Sequence, residues 1–128
     1  MQSPRRVPET MLPLTPAMFH ILLALADGER HGYSIMQEIS AHTGGKLRIG
    51  PTTLYRSIKH LLDDGLIVEV DERPDPALDD ERRRYYRLTP FGQQVALAET
   101  QRLEQALAVA RTKPLLGSLM RVPSSEGA

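Results

Sequence analysis

The chain has 128 residues, with 16 Lys or Arg balanced by 16 Asp or Glu and no Cys, a size that suits one domain rather than two independent cores. The lack of Cys excludes disulfides, thiolate metal sites and a Cys nucleophile, and no apolar run reaches the ~18 residues that a membrane span needs. The first residues, MQSPRRVPETMLPL, carry arginines without a continuous apolar stretch behind them; they do not read as a secretory signal, so a cytoplasmic protein is expected.

In chain order, residues 1–14 hold Pro4, Pro8 and Pro13 and predict an irregular amino-terminal arm. Thr15-Pro16 is a helix start, because Thr can cap free amides and Pro is tolerated in the first turn. The run from Ala17 to Ala26 is apolar nearly all round, which predicts a helix buried on most sides. A second helix is expected from His31 or Gly32 to about Thr43, with Ile35, Met36 and Ile39 on one face, stopped by Gly44-Gly45. After a short linker, Pro51 opens a third helix over roughly Thr52 to Asp64 that closes at Gly65.

LIVEV then reads as a strand and RRRYYRL as its return, joined by about ten residues that hold two prolines. Thr89-Pro90 repeats the helix-start device, and the chain from Phe91 to about Lys113 is rich in good helix formers. Pro114 is expected to stop this helix and to leave 114–128 as a tail. The predicted fold class is mainly α (α+β): a winged helix-turn-helix over 15–89, followed by a dimerisation helix over 90–113.

The charge balance is segregated. Residues 30–62 carry five cations (Arg30, Lys46, Arg48, Arg56, Lys59) against Glu38, whereas residues 66–81 carry seven acids against Arg73. At 100° per residue, Leu54, Ile58 and Leu61 share a narrow arc of the third helix, flanked by Tyr55 and Leu62. Thr52, Thr53, Arg56, Lys59, His60 and Asp63 fall opposite. A charged outer face is ordinary for an amphipathic helix. Behind a helix-turn-helix connection and ahead of a hairpin, however, it is the face delivered to a major groove, where hydroxyls, guanidinium and ammonium suit phosphates and base edges.

Three segments together, HGYSIMQEI, GPTTLYRSIKHLLDDGLI and RRRYYRLTPFG, make the chain similar to the PadR family of bacterial transcriptional regulators over about residues 14–113. The resemblance implies a homodimer built mainly by the last helix and, usually, a repressor bound to double-stranded operator DNA. It places DNA-facing residues at Tyr33 and Ser34, and at Thr52, Thr53, Tyr55 and Arg56, beside Lys59 from the helix face. Because the wing tip ERPDPALDDE is acidic, Arg83 and Arg87 at the strand base are the expected phosphate contacts there. The family also admits a small hydrophobic effector at the dimer interface. With no Trp and two Phe, the composition lends an aromatic-lined pocket little support.

Phe91, Val95, Ala98, Leu103, Ala106, Leu107 and Ala110 form an imperfect stripe along the last helix. Such a stripe can cover the chain's own core, but a helix of ~35 Å exceeds what a core of this size needs. A partner is expected on Phe91, Val95, Leu103 and Leu107, with the apolar first helix also meeting its counterpart. The four histidines (His20, His31, His42, His60) have no i, i+3 or i, i+4 pairing, so no metal and no cofactor are expected. With no phosphate loop or nucleophile signature, neither is an enzyme. The competing reading is a winged-helix module that binds protein and not DNA, supported by zero net charge and the acidic wing.

Overall fold

The computed structural model describes residues 6–70 and 84–120. In chain order it contains α1 (Pro16–Ala24), β1 (Arg30–His31), α2 (Gly32–His42), α3 (Pro51–Asp63), β2 (Ile67–Val70), β3 (Tyr85–Leu88), α4 (Pro90–Arg111) and α5 (Pro114–Met120). A 3-10 turn at Pro8–Met11 precedes them. The three strands form an antiparallel sheet in the order β1-β3-β2. This is a winged helix-turn-helix, as the order of elements predicts.

Both Thr-Pro starts form as expected. The Thr15 hydroxyl accepts the Met18 N–H at 3.1 Å and the Thr89 hydroxyl accepts the Gly92 N–H at 2.9 Å. Helix ends follow the glycines. Gly44 (φ 61°) and Gly65 (φ 75°) adopt the left-handed backbone that L side chains resist. At α3 the Leu66 and Gly65 amides return to the Leu61 and Leu62 carbonyls, which closes the helix in a Schellman turn. Gly45 and Gly44 close α2 in the same way on Ser40 and Ala41.

The core gathers Ile21 and Leu22 from α1, Leu25 just after it, Ile35 and Ile39 from α2, and Leu54, Ile58 and Leu61 from α3. Leu66, Ile67, Tyr86, Leu88 and Val95 complete it. Fully burying each such side chain contributes roughly 1.5–3 kcal/mol, enough in sum to fix α3 against α1 and turn its other face outward. His20 on α1 is half-buried, and its Nδ1 meets no hydrogen-bond partner among the described residues. Burial, with His42 nearby, holds its imidazole below the usual range, in the neutral form.

Three features depart from the sequence expectation. First, β1 is a two-residue strand paired with Tyr85 and Tyr86, too short to leave an alternating pattern. Second, the described hairpin strands are Ile67–Val70 and Tyr85–Leu88, so Leu66 and Arg84, read as strand in the sequence, stand outside them. Segment 71–83, with the wing tip and Arg83, lies outside the described residues. Third, Pro114 does not only end a helix; it starts α5, since a proline that cannot continue one helix is preorganised for the first turn of the next. The turn is tight: a Cβ on Gly117 would stand 2.6 Å from the Arg111 carbonyl oxygen.

Candidate nucleic-acid interface

Helix α3 divides as its periodicity predicts. Leu54, Ser57, Ile58 and Leu61 are buried, whereas Thr52, Thr53, Arg56, Lys59, His60 and Asp63 are exposed. Its amino terminus differs from those of the other long helices. Gly50 is the cap residue and offers no side chain, so the first-turn amides are closed by no side-chain cap. With Pro51 in the first turn, the free N–H groups and the positive end of the helix dipole face outward beside Thr52, Thr53 and Arg56. An anion such as a phosphate oxygen fits that position.

The start of α2 stands next to it. His31 caps α2 by accepting the Ser34 N–H on Nδ1 at 3.1 Å, and its ring meets Tyr85 edge-on at 5.4 Å. Tyr33 is exposed at 51%, so its ring is available to a partner. Ser34 is half-buried, and its hydroxyl accepts a hydrogen bond from Arg30 Nη1 at 3.1 Å. Tyr55 is also half-buried, its phenol laid against Gly32 at the first residue of α2. The predicted DNA-facing set is therefore split: Tyr33, Thr52, Thr53, Arg56 and Lys59 share an exposed surface, while Ser34 and Tyr55 lie beneath it.

The cations of residues 30–62 do not act alike. Arg30 turns inward, donating from Nε to the Ala24 carbonyl at 2.8 Å and from Nη2 to Glu38 at 3.0 Å. It ties the end of α1 to α2. Lys46, Arg48 and Arg56 are exposed and enter no ion pair among the described residues. Lys59 lies 3.6 Å from Asp63 on its own helix, and Arg87 lies 3.6 Å from Glu29. Both pairs are exposed, and such pairs hold at only ~0–1 kcal/mol, so the cations can exchange partners. Lys46 and Arg48 in the turn were not singled out as contacts by the sequence reading; their place just before the α3 terminus was the available signal. Among the described residues no cluster of three or more His, Asp or Glu is placed to hold a metal ion. Nor is any described helix long and apolar enough to cross a membrane.

The stripe on α4 separates into two halves. Val95 is fully buried in the chain's own core, and Phe91 is packed against that core under the Arg6 guanidinium, 4.3 Å from the ring centre. Val95 leaves no surface for a partner, in contrast to the sequence expectation, because α4 packs there against α1 and β3. Beyond Thr100, residues 101–109 are all exposed, Leu103 and Leu107 by 41% and 42%. The two halves meet at Glu99. Its side chain is buried, accepts the Leu14 N–H at 3.0 Å and pairs with Arg102. The Arg102 guanidinium holds the carboxyl below the usual glutamate range, overcoming the opposing effect of burial, and the Leu14 amide assists. The sequence offered one signal for it, a lone acid inside VALAETQ.

A family profile described as the transcriptional regulator PadR-like family matches residues 21–98. Transcriptional regulator Rv3488 of Mycobacterium tuberculosis is 42% identical over 89 residues, covering 70% of this chain and 76% of that protein. Among solved structures, a transcriptional regulator from Clostridium thermocellum superposes with a TM-score of 0.63 at 29% identity, covering 73% of this chain and 84% of that one. A PadR family transcription regulator from Clostridium difficile R20291 gives 0.63 at 20% identity over 76% and 96%, a likeness of fold. The match spans the helix-turn-helix, the sheet and the buried half of α4, and on it the chain belongs to the PadR-like family of transcriptional regulators.

Proposed function

We propose that the protein is a sequence-specific DNA-binding regulator, a homodimeric repressor acting in the cytoplasm, in which α3 enters the major groove of its operator. One observation carries this reading: the uncapped amino terminus of α3 presents free amides together with exposed Thr52, Thr53 and Arg56. Lys46 and Arg48 flank it, and Tyr33 extends the surface. A single bidentate Arg–guanine contact discriminates by ~1–3 kcal/mol, while the surrounding cations hold phosphates and make affinity steeply salt-dependent. Repression is what the family relationship favours.

The exposed half of α4 supports the twofold partner. Leu103, Leu107 and Val109 are 41%, 42% and 45% exposed on a helix of 22 residues, an apolar surface that the described residues do not cover. Two copies would let two α3 helices meet half-sites ~34 Å apart. In sedimentation, the pair Leu103→Glu with Leu107→Glu is expected to convert a dimer into a folded monomer; an unchanged mass places the interface elsewhere.

DNA reading is tested by selecting duplexes from a random pool and measuring anisotropy at two salt concentrations. Arg56→Ala is expected to lose about tenfold or more in affinity, equivalent to ~1.4 kcal/mol, with thermal stability unchanged. Equal affinity in the variant would remove α3 from its assigned role.

A further inference from the structure

Tyr55 sits on the arc of α3 that faces α2, and its neighbours one helical turn away, Thr52 and Lys59, belong to the exposed face. Opposite it is Gly32, the first residue of α2 and buried. A Cβ built on Gly32 would collide with the Tyr55 phenol oxygen and stand 2.9 Å from Cζ and 3.1 Å from Cε1. Real Cβ contacts do not come so close, so the two helices meet at a distance that only glycine allows.

Neither backbone can yield easily. The start of α2 is held by β1, whose Arg30 and His31 pair with Tyr86 and Tyr85, and by the His31 cap. The α3 backbone is held by Leu54, Ile58 and Leu61, all within 2% exposure. A methyl group at residue 32 must therefore push the Tyr55 ring outward, over Thr52 and Lys59, or part the two helices at the end that carries Thr52, Thr53 and Arg56. Both outcomes alter the exposed surface while leaving every residue on it in place.

We propose that the Gly32–Tyr55 contact sets the distance between α2 and the reading end of α3, making Tyr55 a positioning residue rather than a side chain that reads DNA. This inference rests on the reading of α3 as the DNA-contacting helix. Tyr55 acts as a spacer through its ring; its hydroxyl is not a required contact to phosphate or base.

The test is a mutant cycle on the full chain, using the duplex recovered by selection and reading affinity beside melting temperature. Gly32→Ala is expected to weaken binding about tenfold or more, a change of ~1.4 kcal/mol. Tyr55→Phe, which keeps the ring, is expected to stay within about threefold of the wild type. Gly32→Ala combined with Tyr55→Leu removes the colliding ring atoms, and is expected to bind as well as Tyr55→Leu alone. A double variant as weak as Gly32→Ala, or a tenfold loss in Tyr55→Phe, would overturn the proposal. If Gly32→Ala does not fold, recovery of folding in the double variant supports it and failure to recover refutes it. Arg56→Ala in the same series separates the two levels. If that variant binds normally, the DNA-reading role of α3 fails and the proposal with it; if it loses binding, the cycle judges the spacer alone.

Discussion

Helices α3 and α4 both begin with proline after a residue in extended conformation, yet their first turns are finished by different means. At α4 the Thr89 hydroxyl accepts the Gly92 amide and donates to the carbonyls of Gly65, at 2.7 Å, and Leu66, at 3.1 Å. Gly92 lies so close to the Leu66 carbonyl that a Cβ would overlap it. At α3 the cap is Gly50, with open space where its Cβ would be. One terminus is satisfied by its own chain and shut. The other finds no side-chain cap among the described residues and leaves its donors to water or an anion, the difference that the proposed DNA-reading role of α3 calls for.

The comparison breaks most severely at Gly92. Gly92→Ala forces Cβ into a backbone carbonyl that cannot swing away, and the expected cost exceeds about 3 kcal/mol, at the upper end for single substitutions. Denaturant unfolding that moved by less than about 1 kcal/mol would show that the approach is not binding on the fold.

A middle-sized effect belongs to the buried anchor further along α4, which α3 lacks. Glu99 has its carboxyl held below the ordinary value of 4.5, so its contribution is full above that value and is lost as pH falls through the lowered one. Glu99→Gln is expected to lower the melting temperature by a few degrees near neutral pH. That gap should close as pH falls through the lowered value, where the wild-type carboxyl is itself protonated. A gap constant across the acid range would assign the effect to packing instead of charge.

The smallest change in stability, and the one that sharpens the contrast, is Gly50→Asp. Space at residue 50 accepts the side chain, and the new cap is expected to raise stability by a few tenths of a kcal/mol. The same carboxylate occupies the place of a phosphate, so DNA affinity is expected to fall about tenfold, or ~1.4 kcal/mol. Opposite signs in thermal denaturation and DNA titration would mark a terminus kept open for a ligand; a gain in both would show it to be an ordinary helix end.

Much of this fold was legible because its punctuation is local. The Thr-Pro starts, the Gly44-Gly45 stop and the division of α3 into two faces each depend on residues within one or two turns. What was illegible depends on distant partners. β1 exists only because β3 lies beside it, and Arg30 leaves the basic surface only because the Ala24 carbonyl and Glu38 are in reach. The imperfect apolar stripe of α4 was read as one surface because periodicity reports a face and not what covers it. Val95 is covered by its own chain, and Leu103 and Leu107 are not. Tyr55 lay at the edge of the buried arc, where periodicity alone does not separate a contact from a spacer.

The Thr89 hydroxyl has one more effect. By bonding to Gly65, the residue that ends α3, it ties the start of α4 to the rear of α3. The 13 residues of α3 make a rod of ~20 Å pivoted at that joint. A swing of about 10° there carries the far tip by about 3 Å, a full hydrogen-bond length. For a helix that reads DNA as proposed, the angular tolerance of this joint bounds how closely the tip can be registered on a groove.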